Sequence, residues 1–188
     1  VKGSGDYSKS DRAGRNLFFG IREHAMASIV NAMALYGGFI PYGATFLVFS
    51  DYMRHCIRLG ALEKAHALWI WTHDSIGVGE DGPTHQPIEH FASLRAIPDF
   101  VFIRPNDANE TLEAFKYAVT SERPVGLALS RQNCQTLDRT VYASAENLKK
   151  GAYTLVSDAD PEYIILASGS EVDIALDAYA QLKAQGKK

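Results

Sequence analysis

Apolar positions along this chain recur with two different periods, and each change of period marks an element. From Glu23 to Tyr36, Met26, Ile29, Val30 and Met33 fall at helical spacing, and Gly37 and Gly38 stop the pattern. Before that helix, "NLFFGI" (16–21) predicts a short strand, and after it "FIPYGAT" (39–45) reads as extended. Phe46 to Ala65 carries a second helical pattern. "ALWIW" (67–71) lacks alternation altogether, which predicts a strand buried on both faces. Further on, "IEHFASLRAI" predicts helix and "FVFIRP" strand. Asp107 with Glu110 three residues later has the form of a capping box, so "ETLEAFKYAVTSE" follows as helix. "VGLALS" predicts another strand.

Strand and helix patterns thus alternate, which argues for an α/β protein. The expected architecture is three-layered, with a doubly wound, mostly parallel sheet over residues 1–135. The periodicity then lapses in "NCQTLDRTVYASAENLKK", and a linker is placed at 136–150. Residues 151–188 read as strand "GAYTLVSD", strand "YIILAS" and a helix in "SEVDIALDAYAQLKAQGKK". Three such elements cannot bury their own faces, so they are expected to open a second α/β unit that is cut short. With no initiator Met and no closing element, the chain is expected to be a piece of a longer polypeptide.

Composition narrows the class. A chain of 188 residues with 46% hydrophobic and 22% charged side chains suits a soluble globular domain with a sizeable core. A net charge of −3 without a Lys/Arg block leaves no electrostatic footprint for nucleic acid or a membrane surface. No apolar run approaches a membrane span, and no secretory leader is visible. Cys56 and Cys134 form no CxxC pair and no metal-type cluster, so idle thiols in a reducing cytoplasm are expected.

The chemistry concentrates in one loop. "THDSIGVGEDGPTHQP" (72–87) holds two histidines, three acids, three glycines and two prolines directly after a predicted strand. Gly77, Gly79 and Gly82 match the dinucleotide fingerprint G-x-G-x-x-G, which would make the protein a nicotinamide oxidoreductase. That motif requires a helix to begin among its glycines. Pro83 follows the third glycine and Pro87 would fall in the first turns, so the match is rejected. His73, Asp81 and His85 could ligate a metal; their spacing fits no compact helix motif, although loops supply ligands at any spacing. No G-x-S-x-G elbow supports a serine hydrolase. The favoured reading is a loop that hydrogen-bonds a polyhydroxylated substrate. Imidazole donates to and accepts from hydroxyls, carboxylate accepts from them, and ligands of open α/β sheets bind beyond strand carboxyl ends. The bland alternative is a structural turn rich in turn-forming residues.

Three further features bear two readings each. Glu23 opens a helix, where acids commonly complement the dipole. Phe46, Phe49 and Tyr52 lie three apart, covering an arc of roughly 120° of one helix face, and periodicity alone favours core packing. Arg131 follows a predicted strand and could bind a phosphate or simply be solvated.

Taken jointly, "GIREHAM", "PYGATFLVFSDYMR", "WTHDSIGVGEDGPTHQPIEH", "RPNDANE" and "LSRQN", in this order and with these gaps, resemble the transketolase family from about Asn16 to the end of the chain. The similarity is to its pyrimidine-binding domain, with an N-terminal strand cut away or missing, followed by the opening of its C-terminal domain. Deoxyxylulose-phosphate synthase and oxo-acid dehydrogenase β subunits share the implied fold but resemble the loop less; dihydroxyacetone synthase is closer.

The resemblance implies the thiamine-diphosphate-binding fold and a transferase of the pentose phosphate pathway. Such an enzyme moves a two-carbon ketol unit from a ketose phosphate to an aldose phosphate. By that resemblance Glu23 faces the aminopyrimidine of the cofactor and is catalytic, and Phe46, Phe49 and Tyr52 form the ring's aromatic pocket. His73 and His85 contact the sugar's hydroxyls and reacting oxygen, Asp81 reads a sugar hydroxyl, and Arg131 binds the substrate phosphate. No metal ligand is implied in this chain, because Mg²⁺ and the diphosphate belong to an N-terminal domain outside it. The site is implied to form between the two subunits of a cytoplasmic homodimer, so the chain alone should be inactive. Dihydroxyacetone synthase, another thiamine-diphosphate transferase, and a non-catalytic α/β interaction module are the alternatives.

Overall fold

Two tryptophans set the centre of the molecule. Trp69 and Trp71 are fully buried on one face of the strand Leu68–Thr72. Rings of this size each remove about 150–250 Å² from water, worth roughly 4–6 kcal/mol. Their indole N–H groups find no partner among the described residues, which costs about 1–3 kcal/mol each and leaves burial favourable. The computed structural model describes residues 2–188.

The elements run α1 (Glu23–Tyr36), β1 (Tyr42–Phe46), a 3₁₀ helix (Leu47–Met53), α2 (Arg54–Leu62), β2 (Leu68–Thr72), a short 3₁₀ helix (Ile76–Val78), α3 (His90–Arg95), β3 (Val101–Ile103), α4 (Ala108–Thr120), β4 (Val125–Ala128), a 3₁₀ helix (Ala145–Lys150) and α5 (Glu171–Ala184). The four strands form one all-parallel sheet in the order β1-β2-β4-β3. Alternate strand positions feed opposite layers. Trp69, Trp71, Phe100 and Ala128 pack with Met26, Val30, Leu47, Met53, Ile57 and Leu94 from α1, the first 3₁₀ helix, α2 and α3. Leu68, Val125 and Leu127 pack with Ala114 and Ala118 of α4 and with Leu148. This is the three-layer α/β arrangement that the alternating pattern predicted.

Glycine makes room for the large rings. A Cβ on Gly126 would lie 2.4 Å from Trp71 and 2.7 Å from Phe100. Gly126→Ala in the full-length polypeptide is therefore expected to cost about 1–3 kcal/mol by overpacking, read as a lowered denaturation midpoint. A wild-type midpoint would show that the rings are not wedged over the strand.

The ends of α1 agree with the pattern: Gly37, with φ +87°, ends the helix and donates to the Met33 carbonyl. At α4, Asp107 accepts from the Glu110 N–H at 2.8 Å, as the capping box predicted. The Glu110 side chain closes the box one residue early, accepting from the Asn106 N–H at 2.9 Å.

Three expectations are corrected. Residues 16–21 form no strand: only Asn16 bridges, to Asp6, while Phe18 and Ile21 stand 82% and 95% exposed. The helix expected from Phe46 to Ala65 is composite, because Phe46 ends β1 and a 3₁₀ helix precedes α2. The segments "GAYTLVSD" and "YIILAS" pair with no strand of the sheet, and Ile164 and Leu166 remain exposed. Extended backbone needs a neighbour for its N–H and C=O groups, and the sheet offers these segments none.

Residues 136–150 are anchored on α4. Arg139 makes two 2.9 Å hydrogen bonds to the Asp107 carboxylate, which also accepts from the Leu137 N–H. Tyr153 donates to Glu110; burial first, then that carboxylate, pushes the phenol up to about 12. No helix among the described residues is long and apolar enough to cross a membrane.

Candidate functional site

Because the sheet is all-parallel, every strand delivers its carboxyl end to the same edge. Phe46 closes β1, His73 follows β2, Arg104 follows β3 and Arg131 lies just beyond β4. This is the edge at which open α/β sheets bind ligands.

The first 3₁₀ helix decides the fate of the aromatic triplet. At three residues per turn, positions 49 and 52 eclipse instead of spreading around a face, and Phe46 leads into the same line. Ring centroids of Phe46 and Phe49 are 6.1 Å apart and nearly parallel; Phe49 and Tyr52 are 6.2 Å apart. Phe46 and Phe49 are half-buried and Tyr52 is exposed, so the core-packing reading fails. The triplet is an open aromatic row.

Two loop histidines join that row. His73 stacks on Phe46 with centroids 3.5 Å apart, and His85 meets the edges of Phe46 and Phe49 at 6.4 and 5.5 Å. Each Nδ1 is held by the hydroxyl of the preceding threonine, Thr72 at 2.8 Å and Thr84 at 2.9 Å. That engagement leaves each Nε2 for a ligand. The loop that carries them is pinned internally: Ser75 accepts from Gly77, the His85 N–H donates to Gly82, and Gln86 donates to the Ile76 carbonyl. Gln132 presses on Gly77, where a Cβ would lie 2.6 Å from its Oε1.

The remaining predicted residues make no ring contact with this cluster. Glu23 is the first residue of α1, half-buried, with no side-chain hydrogen bond or ion pair among the described residues. Asp81 is exposed in the loop. Arg131 is exposed and approaches Glu80 of the loop at 3.9 Å, a solvated contact of little energetic weight.

Metal ligation by His73, Asp81 and His85 gains no support from the geometry. Among the described residues the one His/Cys/Asp/Glu group whose ligand atoms lie within 4.8 Å of one another is Asp51, Glu89 and His90. There, Asp51 faces His90 Nε2 at 3.2 Å while Glu89 faces Nδ1 at 4.0 Å. The two nitrogens of one ring point away from each other, so a single ion cannot use both carboxylates and the imidazole well.

Sequence reasoning passed over the residues that support the loop. Asp74, whose side chain is completely buried, accepts from Arg104 Nε at 2.7 Å. Arg104 also donates to Glu171 and, at 3.0 Å, to the Ser168 carbonyl. Burial works against the Arg104 charge, but Glu171 and Asp74 outweigh it and leave its pKa raised. Burial likewise opposes ionisation of Glu171, and the Arg104 hydrogen bond overcomes this, so its pKa is lowered. Glu171 thus contributes above the usual carboxylate range and loses its contribution as pH falls through the lowered value. The only signal in the sequence was an acid beside a loop histidine and an arginine at a strand end.

The family model "Transketolase, pyrimidine binding domain" matches residues 2–136. The transketolase of Nostoc sp. is 51% identical over 193 aligned residues, covering all of this chain and 28% of the relative. The structure of Pichia stipitis transketolase in complex with sedoheptulose 7-phosphate superimposes with a TM-score of 0.94 at 45% identity, over the whole chain and 28% of that structure. A split-gene transketolase described as an inactive β4 tetramer matches at 25% identity with a TM-score of 0.66, over 97% of this chain and 60% of that one. The chain therefore spans little more than a quarter of the Nostoc and Pichia relatives. These relatives do not favour dihydroxyacetone synthase or a non-catalytic module. An aromatic row and two loop histidines at the carboxyl edge of a parallel sheet, matched over the whole chain by transketolases, place this chain in the transketolase family.

Proposed function

We propose that this chain forms the pyrimidine-facing half of a thiamine-diphosphate site. In that site a two-carbon ketol unit passes from a ketose phosphate to an aldose phosphate, as in the pentose phosphate pathway. The carrying observation is the convergence of Phe46, Phe49, His73 and His85 at the strand carboxyl edge. A partly open aromatic row suits a planar ring, and the half-buried Glu23 carboxylate, without a partner among the described residues, suits a ring nitrogen.

The bound cofactor supplies the electron sink that lets a carbon–carbon bond beside a carbonyl break. The chain's own residues do the rest. Phe46, Phe49 and Tyr52 hold the pyrimidine by stacking. Glu23 would share a proton with a nitrogen of the bound pyrimidine. His73 and His85 offer Nε2 to sugar hydroxyls and to the reacting oxygen, where imidazole can also move protons near neutral pH. Asp81 accepts from a hydroxyl, which makes it a reader of stereochemistry. Arg131 leaves Glu80 to take the substrate phosphate, for which its planar fork is suited.

Mg²⁺ and the diphosphate are assigned to a domain outside these residues, on the opposing subunit of a cytoplasmic homodimer. Exposed Phe18 and Ile21, close in sequence to Glu23, suit a subunit contact there. On this reading the 188 residues alone are inactive, like the inactive β4 tetramer of the split-gene relative. The test is ketol transfer by the full-length polypeptide before and after thiamine diphosphate and Mg²⁺ are stripped. Activity should vanish and return on adding both back; activity that survives removal refutes the proposal.

A further inference from the structure

We propose that Arg104 is a positioning residue for the loop: it holds the turn at His73 through Asp74, and Ser168–Glu171 of the C-terminal segment completes its grip. This rests on the loop's proposed role in reading the sugar.

His73 has φ +59°, a left-handed conformation uncommon outside glycine that histidine visits more readily than most side chains. Such backbone persists only where the surroundings over-determine it. The restraint lies one residue on. The Asp74 side chain is completely buried, and its Oδ2 meets Arg104 Nε at 2.7 Å. A buried carboxylate that lost this cation would leave its pocket for water and carry the adjoining turn with it.

Arg104 is itself held from several sides. Its guanidinium lies 4.7 Å over the Phe91 ring, donates to the Ser168 carbonyl and pairs with Glu171. The backbone at Gly169 comes so close that a Cβ would sit 2.6 Å from Nε. Asp74 Oδ1 and Arg104 Nη2 still lack hydrogen-bond partners among the described residues. A half-satisfied buried network is a poor source of stability, so its physical use is to select one geometry. Arg104 cannot serve as a substrate ligand, since its side chain is only 6% exposed. It acts through Asp74, and it makes the order of the loop depend on a segment that begins more than 60 residues later.

The test uses the full-length polypeptide with Arg104→Met, Arg104→Lys and Glu171→Gln. Arg104→Met should speed amide exchange across residues 73–78 by about tenfold or more while β4 amides are unchanged. It should raise KM for the ketose phosphate by about tenfold, with half-saturation by thiamine diphosphate unmoved. Arg104→Lys should restore part of both effects. Glu171→Gln, at the part-exposed end, should give a shift of roughly two- to fivefold in the same direction, and none when added to Arg104→Met. Unchanged exchange at 73–78 in all three variants overturns the proposal. So does a uniform rise in exchange over the whole sheet, which marks a merely structural pair. If Arg104→Met does not fold, the other two variants carry the same readouts. Faster exchange at 73–78 with KM and kcat both unchanged would uphold the clamp and refute the sugar-reading role of the loop.

Discussion

Glu23→Ala in the full-length polypeptide is expected to lower turnover by about 10²–10⁴-fold, the range of a lost acid–base group, with the fold intact. The structure explains why the two effects separate. Glu23 is the first residue of α1, and its carboxylate makes no hydrogen bond or ion pair among the described residues, so no partner is stranded by its removal. What stability it lends comes through the helix dipole, about 0.3–1 kcal/mol. Glu23→Gln should lose nearly as much turnover, because the amide keeps the shape but cannot share the proton. Steady-state kinetics at saturating cofactor, beside thermal melts, make the measurement. Turnover close to wild type in the alanine variant would remove Glu23 from the mechanism.

Replacing the loop histidines should have the next largest effect. His73→Ala and His85→Ala are each expected to reduce kcat/KM by on the order of 10²-fold, the scale of a lost oriented donor at a reacting oxygen. Dimers and cofactor binding should be retained. His73 and His85 sit against Phe46 with Nδ1 already held by Thr72 and Thr84, so the lost function is that of Nε2. Asparagine at either position can hydrogen-bond but cannot carry the imidazole proton, so a partial rescue would assign binding rather than proton transfer. Sedimentation separates this from a loop that serves subunit contact: loss of the dimer with kcat/KM unchanged per folded dimer would sink the substrate-reading proposal.

Much of this was legible in the sequence where a local rule decides the outcome. The helix Glu23–Tyr36 was readable to the residue, because apolar spacing sets its face and two glycines end it. The strand at β2 was readable from unbroken hydrophobicity, because a parallel strand between two helical layers has no polar face. The α4 cap was readable from Asp107 and Glu110, because that interaction spans three residues. The candidate loop stood out because titratable side chains among glycine and proline are unusual directly after a buried strand.

The errors share one cause. "NLFFGI", "GAYTLVSD" and "YIILAS" are apolar enough for strands, but hydrophobicity says that a segment seeks burial and not against what. Phe46, Phe49 and Tyr52 lie three apart in either kind of helix. Only the 3₁₀ geometry, set by packing of Leu47 and Met53 into the core, lines them up in the open rather than turning them inward.

The sequence by itself determined the α/β class, the parallel sheet and the chemistry available in residues 72–87, since these follow from periodicity, turn residues and side-chain type. Tertiary structure alone decided which of those side chains meet. The stacking of His73 on Phe46 joins residues 27 positions apart, and the pairing of Arg104 with Asp74 and Glu171 spans 30 and 67. Contacts of that range depend on the order in which strands lie side by side, and strand order leaves no local trace in the chain.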